Sequence, residues 1–396
     1  MNQRVDVVVV GAGPGGATAA YELGEAGKRV VVLEREHLPR YKACGGGLSL
    51  ALLEQFPFPM DPVIEASVRS ITYTVGSRSV RLQLPRDQIR MVMRDKFDAY
   101  LLEHAQAEVR QEVPVNRVRE LSDRVIVESD GRLSLEADYV IGADGASSVV
   151  ARDLGLRRGK RVAAAIEAEA PVSPEVFQMF AEQPVFIFGR IRAGYLWIFP
   201  KATHLSVGIG AYQPRPGQLQ AVLKQVMAEY GISLEGVPLH GHPLPVFFGR
   251  ERLATGRGLL VGDAAGLIDP LTGEGIRYAV KSGRLAARCI VEGQTGDYSA
   301  RIQREIGRSH LVGLSLAQLF YRLPTLCYAL GVRNPLATSG FLDLLSDRVD
   351  YPELAARMFS SLPFYLATEF LAGVAGAVGR GDIGSRIRSA AYGEFV

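Results

Sequence analysis

The stretch Val5-Asp-Val-Val-Val-Val10-Gly11-Ala-Gly13-Pro-Gly-Gly16, running on to Val30-Val-Val-Leu33-Glu34, decides the fold. Val5–Val10 is a continuous run rich in β-branched residues, the pattern of a strand buried in a parallel sheet. Pro14–Gly27 places Ala17, Ala20, Leu23 and Ala26 at helical spacing, and Val30–Leu33 reads as a second strand. The glycines lie in the turn between strand and helix. Gly11 allows the tight turn, Gly13 lets the backbone approach a pyrophosphate, and Gly16 lets the helix pack on the strand. The helix N-terminus adds amide donors and a positive partial charge. Glu34 ends the second strand 23 residues after Gly11, where a carboxylate binds ribose hydroxyls, and Arg35 stands beside it. The unit reads as a dinucleotide site and does not separate FAD from NAD.

Working outward, 396 residues at 47% hydrophobic and 22% charged allow one large or two ordinary domains with a sizeable core. Disorder and collagen-like structure are excluded. A net charge of +3 is too small to argue for nucleic acid. Cys44, Cys289 and Cys327 make no disulfide framework and point to a reducing cytoplasm. Cys289 and Cys327 are expected to be packing residues. The first apolar run carries Asp6 and leads into a glycine loop, so it does not read as a signal peptide. No uncharged apolar stretch of about 18 residues is present. Leu311–Tyr321 is followed by Arg322 and Pro324, and Leu362–Val378 is broken by Glu369. Both read first as buried helices, with a place on a membrane surface as the alternative.

Residues from about 65 to 90 and from 162 to 212 alternate apolar and polar, as in Ile71-Thr-Tyr73-Thr-Val75 and Tyr195-Leu-Trp197-Ile-Phe199. They predict a mixed or antiparallel sheet outside the first domain. Asp95–Ala107 and Gly273–Glu292 read as helices, Gly258–Gly262 as a buried strand, and the chain after about 297 as mostly helical. The expected class is α/β. A Rossmann-like nucleotide-binding domain (1–65, 91–160 and 250–295) carries an inserted sheet domain (66–90 and 161–249) and a helical C-terminal region (296–396).

Three further segments carry chemistry. Gly258-Leu-Leu-Val-Gly262-Asp263 would set Asp263 at the carboxyl end of a strand, where ligands bind. Gly275-Ile276 opens a helix that aims amides at a ligand, and Gly142-Ala-Asp144-Gly145 ends another strand. For each aspartate, helix capping is the competing explanation. Pro39-Arg-Tyr-Lys-Ala-Cys44-Gly45-Gly46-Gly47 reads as a loop that approaches a planar ligand closely. The six histidines make no metal spacing, although His240 and His242 form a pair. No nucleophile elbow or Walker loop is present.

With these residues in view, the chain resembles the FAD-dependent geranylgeranyl reductase family, within the flavoprotein group related to p-hydroxybenzoate hydroxylase. The resemblance rests on Gly11–Gly16, the Pro39–Gly47 loop, Arg94-Asp-Lys-Phe97-Asp98, Asp144-Gly145, Tyr195–Pro200 and Gly262–Ile276. It spans residues 5 to about 290. It implies non-covalent FAD, with Gly13, Pro14 and Glu34 at the ADP part, Arg94 on the cofactor and the Val115 backbone at adenine. Asp263 would meet the ribityl–pyrophosphate region, with Gly275, Ile276 and the Cys44–Gly46 loop near the flavin. Tyr195 and Trp197 would border the substrate. The position three before Tyr195 is Arg192, where the family often has proline.

The implied activity is reduction of isolated C=C bonds in a polyprenyl chain, free as geranylgeranyl diphosphate or attached to a lipid, chlorophyll or quinone. A proton would come from Cys44, Tyr195 or water. The alternatives are an FAD-dependent monooxygenase or halogenase, and a lipid-binding flavoprotein with structural FAD. NADPH, ferredoxin and a partner reductase stay open as electron donors, as does the oligomeric state. The implied setting is the cytoplasm, with peripheral contact on the inner membrane face as an option.

Overall fold

The computed structural model describes residues 4–84, 88–131, 133–159, 161–377 and 381–392, so Val378 of the late apolar run lies outside them. Its first sheet has the order Glu108–Arg110, Val30–Leu33, Val5–Val10, Leu133–Gly142, Val125–Ser129, Arg117–Glu120. Val5–Val10 runs parallel to both neighbours. Leu133–Gly142 pairs with Val5–Val10 on one edge and is long enough to serve two partners on the other. Its first half pairs antiparallel with Val125–Ser129, and its last three residues pair parallel with Gly258–Leu260. The central strands are apolar throughout because helices cover them: Val7, Val8 and Val9 have no exposed surface. The carboxyl ends of Val5–Val10, Leu133–Gly142 and Gly258–Leu260 therefore open at one edge. The expected helix from Gly273 begins at Ile276 and ends at Val291, because residues 269–275 form a loop tied to Asp269.

The second sheet has the order His240–Pro245, Val162–Ala170, Leu205–Tyr212, Gly194–Pro200, Val185–Phe188, Ser70–Val75, Arg78–Gln83. All its pairings are antiparallel except Val185–Phe188 with Ser70–Val75. Strand alternation gives it two different faces. Leu196 and Ile198 pack with Val207, Ile209 and the helix Gln218–Glu229. Tyr195, Trp197 and Phe199 face the opposite way, into a cavity. A small sheet, Gly47–Ser49, Ile89–Val92 and Ile64–Val68, stands between the two large ones in the chain path.

The described residues from Tyr298 onwards are mostly helical. Buried polar contacts lock them to the nucleotide-binding half. The Tyr351 hydroxyl donates to Asp269, 2.8 Å from Oδ1 and 3.0 Å from Oδ2. Arg277 donates to the Leu344 carbonyl at 2.7 Å. Asp269 Oδ1 also accepts the Leu271 and Thr272 amides, each at 2.8 Å. The long helix Tyr351–Ala377 departs from the expected buried packing. Its span Tyr351–Ala375 is long and apolar enough to cross a membrane, yet only 17% of its 18-residue apolar window is buried. Phe370 and Leu371 are 70% and 55% exposed.

Tyr351→Phe removes a buried hydrogen bond to a charged acceptor. It should lower unfolding stability by about 1.5–3 kcal/mol, read as a shifted denaturation midpoint with unchanged m-value.

Candidate active site

At the open sheet edge, Gly11 takes a left-handed φ of +99°, and a methyl there would strike the Ala143 carbonyl. The face of Gly13 is different. A methyl on it would meet only Arg40, at 3.8 Å, so this amide edge is open to a ligand. Pro14 and Gly16 are buried in the first helical turn. Glu34 is 4% exposed, and its carboxylate accepts the Ala12 amide at 2.8 Å and the Glu36 amide at 3.1 Å. Each carboxylate oxygen can still accept a further bond, as ribose binding requires.

Arg40 joins this carboxylate to a second one. Its Nε lies 3.6 Å from Glu34 and its Nη1 3.2 Å from Asp98. Asp98 is fully buried and also takes a bidentate pair of 2.8 Å bonds from Arg94. Arg94 is thus held in place rather than solvated, and it also reaches Cys44. Arg40 Nη1 is buried with no hydrogen-bond partner. That nitrogen is ion-paired with Asp98, and Nη2 is the one nearest the open Gly13 face, a placement that fits a pyrophosphate. Arg35, by contrast, is exposed and pairs with Glu36 at 3.3 Å. The expectation that it binds the cofactor shifts to Arg40, because the turn after Glu34 points Arg35 into solvent. Val115 is half-buried against the core, in the loop whose Val113 amide donates to Glu34 at 2.9 Å.

The remaining cofactor candidates gather at the other strand ends. Asp144 Oδ2 accepts the Val149 and Val150 amides, so it caps the following helix, while Oδ1 is buried without a partner. Asp263 stands at Gly275, where a methyl would lie 3.5 Å from Oδ1. Ile276 starts the helix there. Burial alone would raise the Asp263 carboxyl, but His242, 3.7 Å away, and Lys42 hold it below the usual range. Lys42 in turn lies 2.6 Å from His242, and burial pulls its ammonium down. His242 thus stands between Lys42 and Asp263. Among the described residues no group of three or more His, Cys, Asp or Glu could hold a metal.

From this edge a cavity of about 490 Å³ runs under the second sheet to the C-terminal helices. Cys44, Gly45 and Gly46 form its near wall, Tyr195 and Trp197 its floor, and Phe320 and Phe359 its far end. The glycines of the loop are required by protein contacts. A methyl on Gly45 would stand 2.7 Å from Phe199 and 3.1 Å from Trp197 Nε1, and one on Gly46 would meet the Val92 carbonyl. Close approach to a flat ligand is thus not their only reason. Trp197 Nε1 is a buried donor with no partner. Tyr195 donates its hydroxyl hydrogen to the Thr272 carbonyl, and burial pushes its pKa up. That committed proton favours positioning over proton supply. Cys289 is buried as expected, but Cys327 lines the cavity. The sequence reading missed Arg40 and Asp98, although both lie inside motifs it quoted. It also missed Glu167 and Glu169, whose signal is two carboxylates at i and i+2 in an otherwise apolar strand.

The FAD binding domain family matches residues 4–302 of the chain. This protein belongs to the geranylgeranyl reductase-like FAD flavoproteins. Geranylgeranyl diphosphate reductase from rice (Oryza sativa) is 31% identical over 81% of this chain and 76% of its own. Digeranylgeranylglycerophospholipid reductase from Methanothrix thermoacetophila is 32% identical over 81% of this chain and 88% of its own. A geranylgeranyl bacteriochlorophyll reductase-like protein from Thermoplasma acidophilum shares the fold, with a TM-score of 0.75 at 24% identity over 92% of this chain and 98% of its own. The flavoprotein is an FAD-dependent oxidoreductase, and the residues above fit that cofactor.

Arg40→Ala should weaken FAD binding by about tenfold or more, the loss of one charge-assisted phosphate contact. Arg35→Ala should change it less than about twofold, as for an exposed pair. Titration of each apoprotein with FAD, followed by flavin fluorescence, checks both.

Proposed function

We propose that this flavoprotein saturates C=C bonds in the polyprenyl chain of a membrane lipid whose head group stays outside the cavity. One observation carries the reading: no Lys or Arg stands among the described residues that line the cavity, and its walls are almost wholly apolar. A diphosphate drawn inside would lose its hydration with no cation to replace it. A hydrocarbon chain loses nothing and gains apolar burial. The far end supports the same reading. Leu319, Leu326 and Phe359 line the cavity and are 46%, 49% and 65% exposed. The cavity mouth thus opens on the apolar helical surface, where a chain passes from a bilayer without crossing water. Of the substrates in the two curated relatives' names given above, the membrane phospholipid suits this cavity better than the free diphosphate.

Reduced FAD, when bound, supplies a hydride. The protein supplies placement. An isolated alkene has no carbonyl to polarise, so alignment and exclusion of water are the means available. Trp197 and Phe199 form the apolar floor, and Tyr195, held by Thr272, sets its edge. The helix Tyr351–Ala377 would rest on the cytoplasmic face of the membrane as a peripheral contact.

The test uses holoenzyme reduced without oxygen. Vesicles containing a geranylgeranyl-chain glycerolipid should reoxidise the flavin about tenfold faster than free geranylgeranyl diphosphate at equal chain concentration. Preference for the free diphosphate would overturn the head-group assignment. Reoxidation by oxygen alone, with a hydroxylated product, would establish a monooxygenase instead. Phe370→Ser with Leu371→Ser should weaken vesicle sedimentation by about tenfold or more, from lost apolar burial. Turnover of detergent-dispersed lipid should stay unchanged.

A further inference from the structure

The floor of the cavity continues past Trp197 into a row of carboxylates. Trp197 pairs in register with Gly208, Gly208 with Glu167, and Glu167 with His240 on the edge strand. Paired residues point to the same sheet face. Gly208 has no side chain to separate its neighbours, and a methyl there would stand 2.1 Å from Trp197 Cζ2. The indole therefore covers Gly208 on the Glu167 side. Glu167 lines the cavity, yet it is only 1% exposed.

Its hydrogen bonds show which form fits. Oε1 accepts from Ser206 at 2.8 Å. Oε2 is buried with no hydrogen-bond donor, and this carboxyl interacts with the Glu169 carboxylate. Two acceptor carboxylates in contact are satisfied only when one carries a proton. Glu169 in turn contacts His204 Nε2 at 2.9 Å, and both side chains reach solvent, 20% and 22% exposed. Glu167, Glu169 and His204 thus form a row of proton-exchanging groups from the cavity wall to the surface.

We propose that Glu167 gives the cavity the proton that each saturated bond needs, and that Glu169 and His204 restore it from water. The inference rests on the reductase reading and deepens it. The balance is simple. One alkene carbon gains the hydride with its two electrons, and the other gains a proton. The Glu167 O–H bond breaks as that C–H bond forms, leaving a carboxylate. A proton from solvent then returns through His204 and Glu169. Unlike Tyr195, whose hydroxyl is bonded to the Thr272 carbonyl, this source is linked to solvent through Glu169 and His204.

The groups facing Glu167 set its titration. Burial first, and then Glu169, push its carboxyl up to about 8, while Ser206 and Lys201 pull the other way without cancelling. Burial would raise Glu169 too, but His204 and the proton of Glu167 hold it down. His240 lies across the strand, and Tyr41 faces the pair from the loop before Cys44. A raised carboxyl is protonated below its pKa and loses the proton above it. Alkene-driven flavin reoxidation should therefore fall as pH rises through about 8.

The experiment follows that step in reduced holoenzyme with geranylgeranyl-glycerolipid vesicles. Glu167→Gln should slow it by about 100-fold or more, the scale of a lost general acid. FAD content and reduction by dithionite should be unchanged, and Glu167→Asp should recover part of the rate. If Glu167→Gln fails to hold FAD, Glu169→Gln carries the test. Removing the Glu169 charge lowers the Glu167 pKa, so the alkaline limb should move to lower pH. Wild-type rates in Glu167→Gln, or an unmoved limb in Glu169→Gln, would overturn the relay alone. Wild-type protein that saturates no prenyl chain would overturn the reductase reading and the relay with it.

Discussion

The contact of Trp197 with Gly45 and Gly208 holds the two halves of the site together. The indole lies over Gly208 in its own sheet and against Gly45 of the loop that follows the nucleotide-binding unit. Lys201, two residues beyond Phe199, ties the same loop from behind. Its ammonium donates to the Gly45 carbonyl at 2.8 Å and the Val92 carbonyl at 2.7 Å. A side chain at Gly45 or Gly208 would separate the sheet from the loop. Cys44 would then no longer stand over the aromatic floor. The distance from cofactor edge to cavity is thus set by one ring, two missing side chains and one buried ammonium.

The two ends of the site solve opposite electrostatic problems. The cofactor end alternates charge, Glu34 to Arg40 to Asp98 to Arg94, in a buried row. Such a row is stable only while complete, and loss of one member leaves an unpaired buried charge at about 3–5 kcal/mol. It also sets Arg40 Nη2 beside the open face of Gly13. The cavity beyond Trp197 has no cation in its described lining. Its carboxylates Asp269 and Glu274 are held by Tyr351 and Arg277, and the rest of the lining is almost wholly apolar, which suits a hydrocarbon guest. Water exclusion strengthens both arrangements, since charge interactions grow as the local dielectric falls.

Much of this was legible in the sequence because local patterns carry it. The Val5–Val10 run, the glycine spacing and Glu34 specify the nucleotide-binding unit within about thirty residues. The alternation of Tyr195, Trp197 and Phe199 places three aromatics on one strand face. Long-range geometry was not legible. Arg40 follows Arg35 by five residues, yet only the fold shows that it turns inward while Arg35 faces water. Glu167 and Glu169 become meaningful only when register places them beside Gly208 and Trp197. The exposure of Phe370 depends on what fails to pack on it, which no window of residues reveals. Tyr195 shows the converse: its type suggested a proton source, and only the fold shows that its hydroxyl donates to the Thr272 carbonyl.

The central claim is that the cavity holds a polyprenyl chain for saturation. It is tested most directly by weighing the lipid. Reduced holoenzyme is incubated without oxygen with vesicles carrying a geranylgeranyl-chain glycerolipid, and the lipid is analysed by mass spectrometry. The account predicts products heavier by about two mass units per reduced bond, one hydride and one proton each. Lipid of unchanged mass, with the flavin still reduced, would contradict it.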